Sequence, residues 1–159
     1  MREEREEVVK EGRLAIHYAA LGKALESLHD AINLLECMLQ QPQAIFPPGI
    51  DYETLMLCVQ DALVWRFKYS VDLTWKYLKN YLETEVKIIP EVLGPKHIIR
   101  AAAKAALISE KEAEMLMEMV EARNQTSHIY RQEVAELISS ATPAYYETML
   151  HIIQRLPPK

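Results

Sequence analysis

Arg123, His128 and Tyr130 stand in the stretch EARNQTSHIY (residues 121–130), a polar island inside an otherwise apolar run. Apolar residues dominate the ten positions before Arg123 and return from Val134. A guanidinium is a permanent cation whose planar fork matches phosphate oxygens two at a time. An imidazole takes or gives a proton near neutral pH, and a phenol adds a hydroxyl. A cation, an acid/base group and a hydroxyl within eight residues are a set suited to phosphate chemistry, provided the backbone brings them to one place.

An ideal helix turns about 100° per residue, so Arg123 and His128 would diverge by roughly 140° on an unbroken one. They could then share a pocket only through a break in the helix or through a second copy of the chain. Asn124, Gln125, Thr126 and Ser127 include good cap and turn formers and allow a break. Arg123 and Tyr130, seven residues apart, would share a face without one. Spacing alone favours a plainer arrangement: Arg123 paired with a nearby Glu, His128 partly exposed and Tyr130 packed at the edge of the core.

The elements that position this stretch read as helices. A first one is predicted from about Glu3 to Gln40, with Leu21, Leu25, Leu28, Ile32, Leu35 and Leu39 at helical spacing. Pro47 and Pro48 cannot continue it. A second is predicted from about Tyr52 to Leu82, its stripe being Val59, Ala62, Leu63, Phe67, Ser70, Val71, Thr74, Trp75, Leu78 and Leu82. The linker EVKIIPEVLG reads as mostly irregular, with Ile88 and Ile89 packed inward. Pro95 suits the first turn of a third helix backed by Ile98, Ile99, Ala102, Ala105 and Ala106. Ser109 and Glu112, three apart, have the spacing of a capping box for a fourth. A fifth begins between His128 and Gln132, and Thr142 followed by Pro143 predicts the start of a last one. The expectation is an all-α, single-domain, up-and-down helical bundle of about five to six helices over residues 1–159.

Composition agrees. Of 159 residues, 50% are hydrophobic and only 4 are Gly, which favours helix over sheet. A net charge of -5 argues against broad electrostatic capture of nucleic acid, although one local basic pocket is compatible with it. Cys37 and Cys58 lack a C-x-x-C pattern and read as buried thiols of a cytoplasmic protein. No run approaches about 18 uninterrupted apolar residues, so no membrane span is expected. His17, His29, His97 and His151 show no i, i+4 pairing, and no metal site or cofactor is expected. The acidic REEREE run reads as a solvated first helical turn. The only aspartates are Asp30, Asp51, Asp61 and Asp72, without the D-x-D that nucleotidyl transfer needs for its metal ions. There is no Walker-type sequence either.

Three separate stretches carry a family resemblance. ARNQTSHIY is similar to the RN-x-T-x-H-x-Y of the nucleotidyltransferase substrate-binding branch of the HEPN superfamily, whose signature is R-x4-H-x-Y. WRFKYSVDLTWKYLKNYL resembles that branch's long-helix motif, and GPKHIIRAAAKAALI its connecting helix. Together they cover about residues 20 to 155 in the same order. Ile129 and Arg131 depart from it, standing where the branch more often has Thr and an acidic residue. The resemblance implies a helical bundle, usually a homodimer, with Arg123 and His128 lining a cleft near the subunit interface.

Two roles follow from it. One is an accessory, substrate-binding subunit of a small nucleotidyltransferase encoded on a separate chain, binding nucleotide or phosphate through Arg123, Asn124, His128 and Tyr130. The other is a metal-independent ribonuclease toxin. There His128 would activate a 2′-hydroxyl or protonate the leaving oxygen while Arg123 stabilises charge at phosphorus, the partner neutralising it by modifying Tyr130 with AMP. A third, plainer role is a helical dimerisation module with a decayed site.

Further features have ordinary readings beside functional ones. Trp65, Phe67, Tyr69 and Trp75 read as core aromatics rather than a base-stacking platform. Arg66, Lys68, Lys76 and Lys79 read equally as a phosphate-facing stripe or a solvated face. Met115, Met117 and Met119 read as filling gaps in the core and dimer.

Overall fold

The computed structural model describes residues 1–40, 49–128 and 132–159, with positions 2, 127 and 128 described in backbone alone. Five helices follow one another: α1 (Arg2–Gln40), α2 (Tyr52–Tyr81), α3 (Pro95–Lys104), α4 (Glu110–His128) and α5 (Gln132–Arg155). A π-helical turn (Leu82–Val86) extends α2.

The leucine stripe of α1 draws it along α2, and the contacts between them give the register. Tyr52 donates its hydroxyl to the Met38 carbonyl, Arg66 reaches Ser27, Ser70 reaches Ala24, His17 meets Asn80, and Lys87 meets Glu7. As one number falls the other rises, so the pair is antiparallel. α5 lies across both: Tyr146 stacks on His29 and Tyr145 on Phe67, with centroids 4.9 and 5.5 Å apart. Leu21, Leu25, Leu28, Leu63, Phe67, Leu78, Ile98, Ile99, Leu116, Met119 and Met149 form the buried centre. The up-and-down all-α bundle expected from the sequence is the one observed.

Local signals account for the helix ends. The Asp51 carboxylate caps α2 by accepting from the Glu53 and Thr54 backbone. Lys87, left-handed at φ 62°, ends the π turn. Ser109 and Glu112 form the predicted reciprocal box, with Glu112 N–H donating to Ser109 Oγ at 3.1 Å and Ser109 N–H to Glu112 Oε2 at 2.8 Å. Arg155 then closes on Glu112 with two hydrogen bonds of 3.0 and 2.8 Å. This clamp joins the start of α4 to the end of α5.

Several expectations are corrected. No helix begins at Thr142. α5 runs through Pro143, and the Thr142 hydroxyl donates back to the Ile138 carbonyl at 2.6 Å from a fully buried position. Proline inside a helix costs about 3 kcal/mol. A continuous stripe that buries Ile138, Thr142, Met149, Ile152 and Ile153 offsets that cost. Ile88 and Ile89 are exposed, because the left-handed Lys87 turns the chain outward and Val86 takes the contact with the core. Cys37, Leu39 and Cys58 are exposed while their neighbours Met38 and Val59 face inward, a displacement of one helical step. Ala62 is exposed for the same reason beside Leu63. α3 buries Ile98, Ile99 and Ala102 but stops before Ala105, and Ala106 is exposed at φ 56°. The prolines of residues 41–48 lie outside the described residues.

Two consequences can be measured. Ala106 occupies a left-handed position that favours glycine, with Leu107 N–H closing on the Ala102 carbonyl. Ala106→Gly is expected to raise the urea midpoint, by about 1 kcal/mol in stability. Burial pushes the Glu112 carboxyl up, but hydrogen bonds from Arg155 and Ser109 outweigh it and hold the group below its ordinary 4.5. A depressed carboxyl stabilises the fold above its unfolded value and loses that contribution as pH falls through the folded one. Glu112→Gln is therefore expected to cost about 1 kcal/mol at neutral pH. The gap to wild type should narrow below about pH 4.5 in urea titrations.

Candidate functional site

α4 buries Leu116, Met119 and Val120 and thereby turns Arg123 toward α2. The Arg123 Nη2 donates to Asp72 Oδ2 at 2.9 Å, and both side chains remain about a third exposed, at 33% and 31%. Nη1 reaches Asn124 Oδ1 at 3.4 Å. The Nε is buried and has no hydrogen-bond partner among the described residues. The Thr126 hydroxyl donates to the Arg123 carbonyl at 2.6 Å, bonding back within the helix instead of breaking it.

Arg123 thus pairs with an aspartate of α2 and not with a glutamate. Sequence reasoning weighs Asp72 only as a metal ligand. Its signal lies one step past Val71, at the edge of the buried stripe, but its partner is 51 residues away and cannot be read from local spacing. Among the described residues no group of three or more His, Cys, Asp or Glu could hold a metal ion.

The polar island does not break the helix before His128. α4 is continuous from Glu110 to His128, which leaves Arg123 and His128 about 140° apart around one axis. Within one chain the backbone therefore brings Arg123, Asn124 and Asp72 together and sets His128 at another phase. Tyr130 lies outside the described residues.

The aromatic residues of α2 divide. Phe67 is buried and Trp75 packs against the core, as expected, but Trp65 and Tyr69 are exposed. Both stand on the outer face of α2, roughly opposite Phe67 and Leu78 in helical phase, so the core reading fails for them. The four cations act separately: Arg66 Nη1 donates to the Ser27 carbonyl at 2.6 Å, Lys68 lies 5.7 Å from the Trp65 ring, Lys76 lies 5.7 Å from Trp75, and Lys79 pairs with Glu83 at 3.5 Å. Met119 is buried, and Met115 and Met117 pack against the core. No described helix is long and apolar enough to cross a membrane.

The same helical fold is found in solved structures of low sequence identity. A Shewanella oneidensis HEPN toxin, solved tri-AMPylated in complex with MNT antitoxin, superposes at a TM-score of 0.60 with 12% identity, covering 89% of this chain and 96% of its own. A toxin–antitoxin structure with AMP-PNP gives 0.61 at 12% identity, over 84% and 95%. A protein from Thermus thermophilus gives 0.59 at 26% identity, over 81% of this chain and 98% of its own. No curated protein matches the sequence. Residues 18–157 match the family described as nucleotidyltransferase substrate binding protein like, and the chain belongs to that family.

The Asp72–Arg123 pair is about a third exposed, and such a pair contributes under about 1 kcal/mol. Asp72→Asn is expected to destabilise by that amount or less. The effect should vanish in an Arg123→Gln background, a double-mutant cycle that equilibrium unfolding can read.

Proposed function

We propose that this chain is an accessory, substrate-binding subunit that works with a small nucleotidyltransferase on a separate chain. Family membership over residues 18–157 is the observation that carries this reading. The part of the site that supports it is Arg123, a permanent cation one-third exposed on α4, with Asp72 and Asn124 sharing its donors. A guanidinium so held is oriented before ligand arrives, and a phosphate can take over the fork from Asp72. Asn124 supplies an amide beside it. His128 and Tyr130 complete the proposed phosphate- and nucleotide-binding cleft. The continuous α4 gives Arg123 and His128 different phases, so a site containing both draws them from two copies of the chain, in keeping with a homodimer.

The second reading is the metal-independent ribonuclease, with Arg123 and His128 in the catalytic roles. The structural likeness to a HEPN toxin favours it, and the tri-AMPylated state of that relative makes Tyr130 the candidate acceptor of AMP from the partner. A charged nucleotide added at Tyr130 would compete with substrate for the cleft.

One experiment separates the two. The chain is purified without any partner, intact mass establishes that Tyr130 is unmodified, and tRNA and mRNA are incubated with wild type and His128→Ala in EDTA. The accessory-subunit reading expects no cleavage by either protein. Cleavage by wild type that His128→Ala abolishes would replace it with the ribonuclease.

A further inference from the structure

The outer face of α2 carries two large aromatic side chains in solvent, Trp65 at 68% exposure and Tyr69 at 54%. One helical turn apart, they are neighbours on the helix surface. Tyr69 also lines a cavity of about 280 Å³ between α1 and α2, shared with Lys23, Ser27 and Arg66 over a floor of Ala20 and Ala24. Nothing in the family match assigns a role to this groove; neither Arg123 nor Asp72 lines it, although Asp72 stands one helical turn beyond Tyr69 on α2.

Cations gather around these rings in a chain whose net charge is -5. Arg66 Nη1 is anchored on the Ser27 carbonyl at 2.6 Å, which positions the guanidinium and leaves other donors of the fork available. Lys68 Nζ stands 5.7 Å from the Trp65 ring. Lys23 makes no ion pair among the described residues. Further along the same seam His17 meets Asn80, and its imidazole is pushed down first by burial and then by the nearby cations Arg13 and Lys76.

An ordinary solvated face accounts for the cations but not for two exposed aromatic rings among them. A purely apolar contact accounts for the rings but not for the cations at their rim. One ligand chemistry needs both, a flat π-system joined to a phosphate.

We propose that the α1–α2 groove at Lys23, Arg66 and Tyr69, with Trp65 one helical turn before Tyr69 on the outer face, binds a nucleoside phosphate, the base stacking on the exposed rings and the phosphate meeting Lys23 and Arg66. A free mononucleotide and one residue of an RNA strand present the same two groups. Arg13 and Lys76 further along the seam suit the next phosphates of a strand. This site goes beyond the accessory-subunit reading and does not rest on it.

The test uses the full chain and isothermal calorimetry with three probes: AMP, a 5′-phosphorylated penta-adenylate RNA, and inorganic phosphate. Every measurement is repeated in an Arg123→Ala background, so that binding at the α4 cleft is removed independently. Trp65→Ala and Lys23→Glu alter exposed side chains, and their urea midpoints establish that the fold is kept. Wild type and Arg123→Ala are expected to bind AMP at least about tenfold more tightly than inorganic phosphate. Each groove variant should weaken that binding about tenfold or more. RNA bound more tightly than AMP, with an affinity that falls as salt rises, would identify a strand; equal affinities would identify a free nucleotide. Equal binding of AMP and phosphate, or AMP affinity unchanged in both groove variants, would overturn the proposal. So would loss of AMP binding in Arg123→Ala alone. A change of sedimentation in the groove variants with AMP affinity unchanged would assign the face to a contact between subunits, overturning it equally.

Discussion

The antiparallel seam between α1 and α2 is the constraint on which the rest of the bundle depends. Leu21, Leu25, Leu28 and Ile32 from one side and Leu63, Phe67, Val71 and Leu78 from the other are almost wholly removed from water. Burying a side chain of this size is worth about 1.5–3 kcal/mol, so the seam outweighs any single polar contact in the chain. It also sets phase. With Ser70 against Ala24 and Arg66 against Ser27, the remaining faces of α2 are assigned without further choice. Phe67 must meet Tyr145 of α5, Asp72 must meet Arg123 of α4, and Trp65 and Tyr69 must look into solvent.

Much of this is legible in the sequence because helix signals are local. The limits of α1 and α2, the proline start of α3, and the Ser109–Glu112 box all depend on residues within a turn of one another. Where the sequence misleads, distant packing decides. Thr142–Pro143 has the form of a helix start, but the partner that keeps α5 continuous is the core against which Ile138 and Met149 press. Leu39, Cys37 and Cys58 differ from their expected placement by a single helical step, about 100°, which an amphipathic pattern with Met38 and Val59 beside them does not resolve.

At the site the division is similar. Residue types at 123–130 are enough to mark the stretch and its family resemblance, and the match over residues 18–157 agrees with that resemblance. Asp72 stays hidden in the sequence because ion-pair partners on different helices leave no periodic trace. The continuity of α4 is also open on sequence, since Asn124 to Ser127 can cap or turn as readily as extend. In the structure the backbone stays helical to His128, and the Thr126 hydroxyl donates back to the Arg123 carbonyl within it.

The clamp of Arg155 on Glu112 and the pair of Arg123 with Asp72 grip α4 at points eleven residues apart, about 16 Å along its axis. Directional bonds at two stations add to the buried stripe in resisting a roll of this rod. Apolar contacts alone permit a helix to pivot slightly on its stripe, whereas two guanidinium–carboxylate pairs, one of them bidentate, set its azimuth. The heading of α4 at Arg123 is thus set by its buried stripe and reinforced from α2 and α5.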